Sequence, residues 1–308
     1  MTFRRGASLT TAATLGFADS ADRGPTVGNG FSTRWPDDLA ALQELGVTDL
    51  RITLDWARLQ PKPGAFDSDW AEQFEQIVRA AEAIGVRPWA CLHDGSIPRW
   101  FDNEGGFDDD ETFTTWWPRW VERAADRFGD VVGGWVPFAC IPAGAPSQPW
   151  IDTWGILAGG PPVVAAVDVR NQANTVDRYA GIMDLLGVVL AGDWADGAGV
   201  DDEAAVDASF DAARLARCVD RWGGEIREAA DAVDNALVIA GFDADHHDPD
   251  VAGEIVGEWC SVLSDAVADG VPIEVAFIEP AIAGLDSSPG LLDADRAPTA
   301  SSEAFFDS

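Results

Sequence analysis

Four stretches of this 308-residue chain put reactive side chains at the ends of apolar runs. FIEP (277–280) closes one run with Glu279, and LHDGS (92–96) sets His93 and Asp94 behind another. GFDADHHDPD (241–250) crowds Asp243, Asp245, His246, His247, Asp248 and Asp250 after a third. Glu279 with Asp243 or Asp94 could form an acid pair, one carboxyl giving a proton while the other stays ionised. The acidic run carries the oxygen and imidazole donors of a metal site but lacks H-x-x-x-H or H-E-x-x-H spacing. It reads as a solvated loop opening a helix, with Asp250 as N-cap, so no metal and no other cofactor is expected. The fourth stretch, GGWVPFACIPAG (133–144), ends an apolar strand in a Gly/Pro turn, where an α/β barrel keeps its chemistry. Its tip is Ala139-Cys140-Ile141, and a thiol in such apolar surroundings stays protonated and bonds weakly.

The elements that must hold these residues alternate between short strands and amphipathic helices. Strands are expected at Phe3–Ala13, Thr48–Leu54, Val86–Leu92, Val131–Phe138, Val163–Val169, Leu185–Ala191, Ala236–Phe242 and Ile273–Ile278. Helices are expected at Asp37–Leu45, Trp70–Ile84, Glu111–Phe128, Thr175–Ala180, Asp201–Val233 and Asp250–Ala268, several stopped by a following glycine. Eight βα units without a linker, and no glycine-rich dinucleotide or phosphate loop, predict a single-domain (β/α)8 barrel over 1–286. A polar tail, 287–308, is expected to pack on or beside it.

Composition narrows the partners. The formal charge is −33, from 53 acidic against 20 basic residues, and Lys62 is the single lysine. That field repels nucleic-acid backbones and anionic membranes. It suits either a protein that stays soluble in high salt or an acidic product of a GC-rich genome. Four widely spaced cysteines (Cys91, Cys140, Cys218, Cys260) suit reduced thiols in the cytoplasm. Arg4-Arg5 and the mild apolar stretch behind them read as a first strand in preference to a signal peptide, being interrupted by Ser8, Thr10, Thr11 and Thr14. Of the 14 tryptophans, Trp116, Trp117 and Trp120 read as core, while Trp150, Trp154 and Trp194 are held as ligand contacts in loop-like surroundings.

Three stretches in order carry a family resemblance: DLAALQELGVTDLRITLDWARLQPKPG (38–64), IGVRPWACLHDGSIPRWF (84–101), and GGF through RFGDVVGGWVPF (105–138). Together they resemble family 1 glycoside hydrolases, the β-glucosidase-like retaining enzymes. A weaker echo runs through DAVADGVPIEVAF and LLDADRAPTASSEAFF (265–306). The resemblance implies two glutamates flanking the glycosidic bond, one as acid/base after the fourth strand and one as nucleophile after the seventh. At the first position this chain has Cys140, and at the second the strand reads Ile239-Ala240-Gly241-Phe242-Asp243. Neither motif keeps its glutamate.

What the resemblance leaves is a set of pocket residues: His93 at a sugar-contacting position, Asp94 where the family has tryptophan, and Arg51 and Trp56 in the second-strand pattern. Arg51 is expected to pair with Glu279 or Asp55 inside the barrel. With Cys140 and Glu279 these make the candidate ligand-binding set. The function they imply is a barrel related to carbohydrate metabolism without the usual retaining β-glycosidase activity, binding a saccharide or other small ligand or serving as a scaffold. The alternative is a glycosidase with relocated carboxylates at Glu279, Asp243 and Asp94. The sequence names no oligomeric state.

Overall fold

The computed structural model describes residues 3–18, 26–139, 147–167, 183–191, 212–284 and 289–308. The eight strands are β1 (Arg4–Leu9), β2 (Asp49–Thr53), β3 (Arg87–Cys91), β4 (Gly134–Val136), β5 (Val164–Val167), β6 (Leu185–Ala191), β7 (Leu237–Asp243) and β8 (Ile273–Ile278). All pair in parallel in the order β4-β3-β2-β1-β8-β7-β6-β5. The ring is completed between β4 and β5 by the Trp135–Val163 bridge, with Trp135 N donating to Pro162 O at 2.8 Å. This is the expected (β/α)8 barrel.

Around it, in chain order, stand α1 (Thr11–Thr14), α2 (Phe31–Leu45), α3 (Trp56–Leu59), α4 (Ser68–Ala83) and α5 (Arg99–Asn103). They are followed by α6 (Asp110–Phe128), α7 (Ser147–Leu157), α8 (Ala212–Ala232), α9 (Pro249–Ala268) and α10 (Ala300–Asp307). The expected helix at 175–180 lies outside the described residues, as do the N-terminal part of that expected at 201–233 and residues 168–169 of the fifth strand.

Period-two alternation sorts each strand into two faces. Leu50, Ile52 and Ala90 face outward into the large core shared with the helices. Trp89, Cys91, Val136, Val164, Ala166, Val238, Ala240, Val275 and Phe277 fill the inside of the barrel. Trp89 meets Phe277 edge to face, ring centroids 6.0 Å apart, and its indole N–H is satisfied by buried Asp49 at 2.8 Å. Gly134 is what lets Trp89 lie flat against β4, since a Cβ there would fall 2.2 Å from a ring carbon. The barrel is a packed core below its mouth, and chemistry is confined to the strand ends.

Several boundaries differ from expectation, each for a local reason. β1 stops at Leu9 because Thr10 caps the one-turn α1, its Oγ1 accepting from Ala13 N at 3.4 Å. Helix α2 begins at Phe31, ahead of Pro36. Pro36 has no N–H to offer the carbonyl of Ser32, and Gln73 Nε2 bonds that oxygen instead at 2.6 Å. The N-cap of α9 is Asp248 in place of Asp250, with Pro249 at the first helical position and Asp248 Oδ1 accepting from Asp250 N and Val251 N. Trp150 and Trp154 stand on α7, not in a loop.

The last twenty residues are tied down at both ends. Arg296 makes a bidentate pair with buried Asp38 of α2, both contacts 2.9 Å. On α10, Phe305 is fully buried and stacks on Trp259, which stacks on Phe242 at 4.2 Å. This column links β7, α9 and α10.

Candidate functional site

At the C-terminal rim, inward-facing positions of β2 and the residues after β3 and β8 form two bonded pairs, Arg51 with Glu279 and Thr53 with Asp94, with Asp94 close enough to act on the Arg51 charge. Ser8 of β1 pairs in register with Arg51, and Thr53 with Cys91, so these side chains occupy successive levels of the barrel interior. Arg51, 1% exposed, donates through Nη1 to the carbonyl of Ala240 and through Nη2 to Glu279 Oε2. Burial works against its charge, but Glu279 foremost, then Cys91 and Asp94, outweigh that and raise its pKa. Of the two partners expected for Arg51, Glu279 is the one it meets. Asp55 pairs with Arg58 instead.

The tip of β7 is backbone. Gly241 faces the Glu279 carboxylate so closely that a Cβ at 241 would lie 3.0 Å from Oε1 and 3.1 Å from Cδ. The carboxylate of β8 therefore fills the space in front of β7. Asp243, at the end of that strand, turns back on its own loop and accepts from Asp245 N at 2.8 Å. His246 likewise serves the loop, its Nδ1 accepting from Asp248 N at 3.2 Å. Among the described residues no group of three or more His, Cys, Asp or Glu is placed to hold a metal ion.

Asp94 is bonded through one oxygen only. Its Oδ2 accepts from Thr11 N at 2.6 Å and from Thr53 Oγ1 at 2.7 Å, while buried Oδ1 has no partner. Beside it His93 packs edge to face on Phe107 (4.8 Å) and Phe138 (5.9 Å), and its Nδ1 is also buried and unbonded. Burial lowers the His93 pKa against the pull of Asp94, so the ring is neutral. Burial pushes the Cys91 thiol up to about 12, which leaves it protonated and unreactive.

Three expected contacts are elsewhere. Trp56 is 1% exposed and lies outside the strand ring, between Trp117, Phe101 and stacked Trp120, with its N–H on Gln60 Oε1 at 3.0 Å. Its position follows from α3, which turns the chain outward after β2. Trp150 is buried beside Phe138, and Trp154 packs partly buried against the same core. Trp194 and Cys140 lie outside the described residues. Thr53, Thr11 and Ser8 were missed by sequence reasoning. The signal for Thr53 is its place two residues past Arg51, on the same inward face.

Comparison with known proteins agrees with the barrel fold. The family model described as Glycosyl hydrolase family 1 matches residues 18–145. A cytosolic beta-glucosidase of Homo sapiens is 26% identical over 109 residues, 35% of this chain and 23% of that protein. Thus the aligned part spans under a quarter of the relative's length. Over the whole fold, the family 1 β-glucosidase of Thermotoga maritima superposes with a TM-score of 0.74 at 11% identity, covering 99% of this chain and 96% of that one. An apo β-glucosidase designated 1317 gives 0.79 at 15% identity, covering 99% and 98%. At such identities the structural likeness speaks for the fold alone.

Proposed function

From the premise that this chain is a family 1 β-glucosidase-like barrel, we propose that its mouth binds a saccharide or another small polyhydroxylated ligand without cleaving it by double displacement. The observation that carries this reading is the tip of β7, where Gly241 stands and the neighbouring Arg51 is already engaged by Ala240 O and Glu279. Covalent displacement needs a carboxylate nucleophile and a second carboxyl to protonate the leaving oxygen. The sequence supplies Cys140 and Gly241 at the two corresponding places. A thiol donor and a bare backbone cannot run that chemistry. His93 and Asp94 remain as hydroxyl-binding groups, one neutral imidazole and one carboxylate with a free acceptor.

The residues also favour a second reading. Glu279 occupies the volume in front of Gly241, and both Glu279 and Asp94 act on the Arg51 charge. A hydrolase built on these displaced acids would keep Arg51 as the support of the Glu279 charge. Asp243, folded back on its loop, contributes less to such a pair.

A cytoplasmic setting belongs to the same proposal, since Cys91, Cys218 and Cys260 are buried and unpaired. One experiment separates the readings: calorimetric titration with mono- and disaccharides alongside a panel of aryl β-glycosides, in molar salt as well as dilute buffer. Saturable heat without turnover supports the binding barrel. Turnover that disappears in Glu279→Gln, or a glycosyl adduct trapped on the chain by a fluorinated sugar, overturns it.

A further inference from the structure

The bonding around Asp94 is half complete. Oδ2 has two donors, the Thr11 amide and the Thr53 hydroxyl, whereas Oδ1 is closed to solvent and has none. Thr11, whose amide holds Asp94, is 1% exposed, and its own hydroxyl is unbonded too. Two more buried atoms without partners stand on the same strand ends, Ser8 Oγ and His93 Nδ1. Buried polar atoms are paired in the great majority of cases, so four orphans at adjoining strand ends mark a place for something else.

The chemistry of the four is lopsided. A carboxylate oxygen only accepts and hydroxyl oxygens accept readily, so the three oxygens make an acceptor-rich surface. Among the described residues no cation pairs with Asp94, because Arg51 gives its hydrogen bonds to Ala240 and Glu279. Arg51 therefore acts on Asp94 only at a distance, and a part-buried carboxylate with one oxygen unbonded and no cation bonded to it is an incomplete ion pair. A divalent metal would call for more carboxylates than this one. We propose that Asp94 Oδ1, together with the Thr11 hydroxyl, binds one small positive charge at the barrel mouth, either the ammonium group of an amino sugar-like ligand or a free alkali ion. The ammonium form rests on the ligand-binding reading above; the alkali form does not.

The test uses the full chain. Glucosamine hydrochloride and glucose are titrated calorimetrically at matched ionic strength. In parallel, unfolding midpoints are compared in potassium, sodium and tetramethylammonium chloride of equal concentration. The ammonium source predicts glucosamine binding about tenfold tighter than glucose, the scale of a desolvated charge pair. The alkali source predicts a saturable rise in midpoint in potassium or sodium over tetramethylammonium. Either effect must vanish in Asp94→Asn, which keeps an acceptor for Thr11 N and Thr53, and weaken in Thr11→Val, which serves alone if the first variant misfolds. Equal affinity for the two sugars with no dependence on the cation, or an effect that survives both substitutions, overturns the proposal. Absence of saturable heat with either sugar in the unsubstituted chain overturns the ligand-binding reading and the ammonium source together, and the unfolding midpoints then decide the alkali source alone.

Discussion

The two sides of the barrel rim are built differently. At the ends of β1–β3, side chains do the facing: Thr11, Thr53, His93 and Asp94 present polar atoms, several of them unbonded. At the end of β7 the chain presents a carbonyl and a glycine, and a carboxylate from β8 fills the gap. The first side keeps buried polar atoms unbonded, and the second is filled by an internal partner. One barrel rim thus holds unbonded polar atoms at one group of strand ends and a bonded ion pair at another.

Breaking the filled side should have the largest effect. Arg51→Met strips the partners from Ala240 O and Glu279, and the loss should fall toward the lower end of about 3–5 kcal/mol for a broken buried pair. The lower end applies because the Glu279 side chain is 25% exposed and keeps some solvent. Denaturant unfolding at fixed high salt measures it, and a loss under a few tenths of a kcal/mol would show that the pair adds no stability. On the other side, Thr53→Val removes one of the two donors to Asp94 Oδ2 and should cost about 1–2 kcal/mol.

Gly241→Ala sharpens the contrast further. Its new methyl must displace the Glu279 carboxylate, at about 1 kcal/mol for modest overpacking. In a Glu279→Ala background the same change should cost nearly nothing, and that double-mutant cycle isolates the contact. Additive costs in the cycle would mean the two positions do not meet.

The smallest expected effect concerns pH. Burial holds His93 below the ordinary imidazole pKa, so the unfolded chain binds a proton that the folded chain refuses. This contribution to stability is fully present above the ordinary value of about 6.5 and declines as pH falls through it. His93→Gln should flatten that part of the stability profile by pH-resolved thermal melts. An unchanged slope would indicate that His93 titrates normally.

Much of the scaffold was legible in the sequence. Eight apolar runs at βα spacing became eight strands, because inward and outward faces of a buried parallel strand both demand apolar residues. Helix ends were read well where glycine marks them, as at Gly46 and Gly129, whereas Asp67 and Asp109, which cap the starts of α4 and α6, were passed over. The start of α2 was obscured by Pro36, whose missing hydrogen bond is made good by Gln73, a residue 41 positions from Ser32. Long-range compensation of that kind leaves no local trace. The same holds for Trp56, which shares a motif with pocket residues yet packs outside the ring because α3 turns away from the mouth.

The sequence by itself determined the barrel, the acidity of the surface and the lack of glutamate at positions 140 and 241, since these depend on residue type and on periodicity along the chain. Only the tertiary structure decided that Arg51 joins Glu279 and not Asp55, that Glu279 stands before Gly241, and that Asp94 keeps one oxygen unbonded. Ring closure brings β2, β7 and β8 within hydrogen-bond reach across some 230 residues, and which buried charges then pair is settled by geometry in three dimensions.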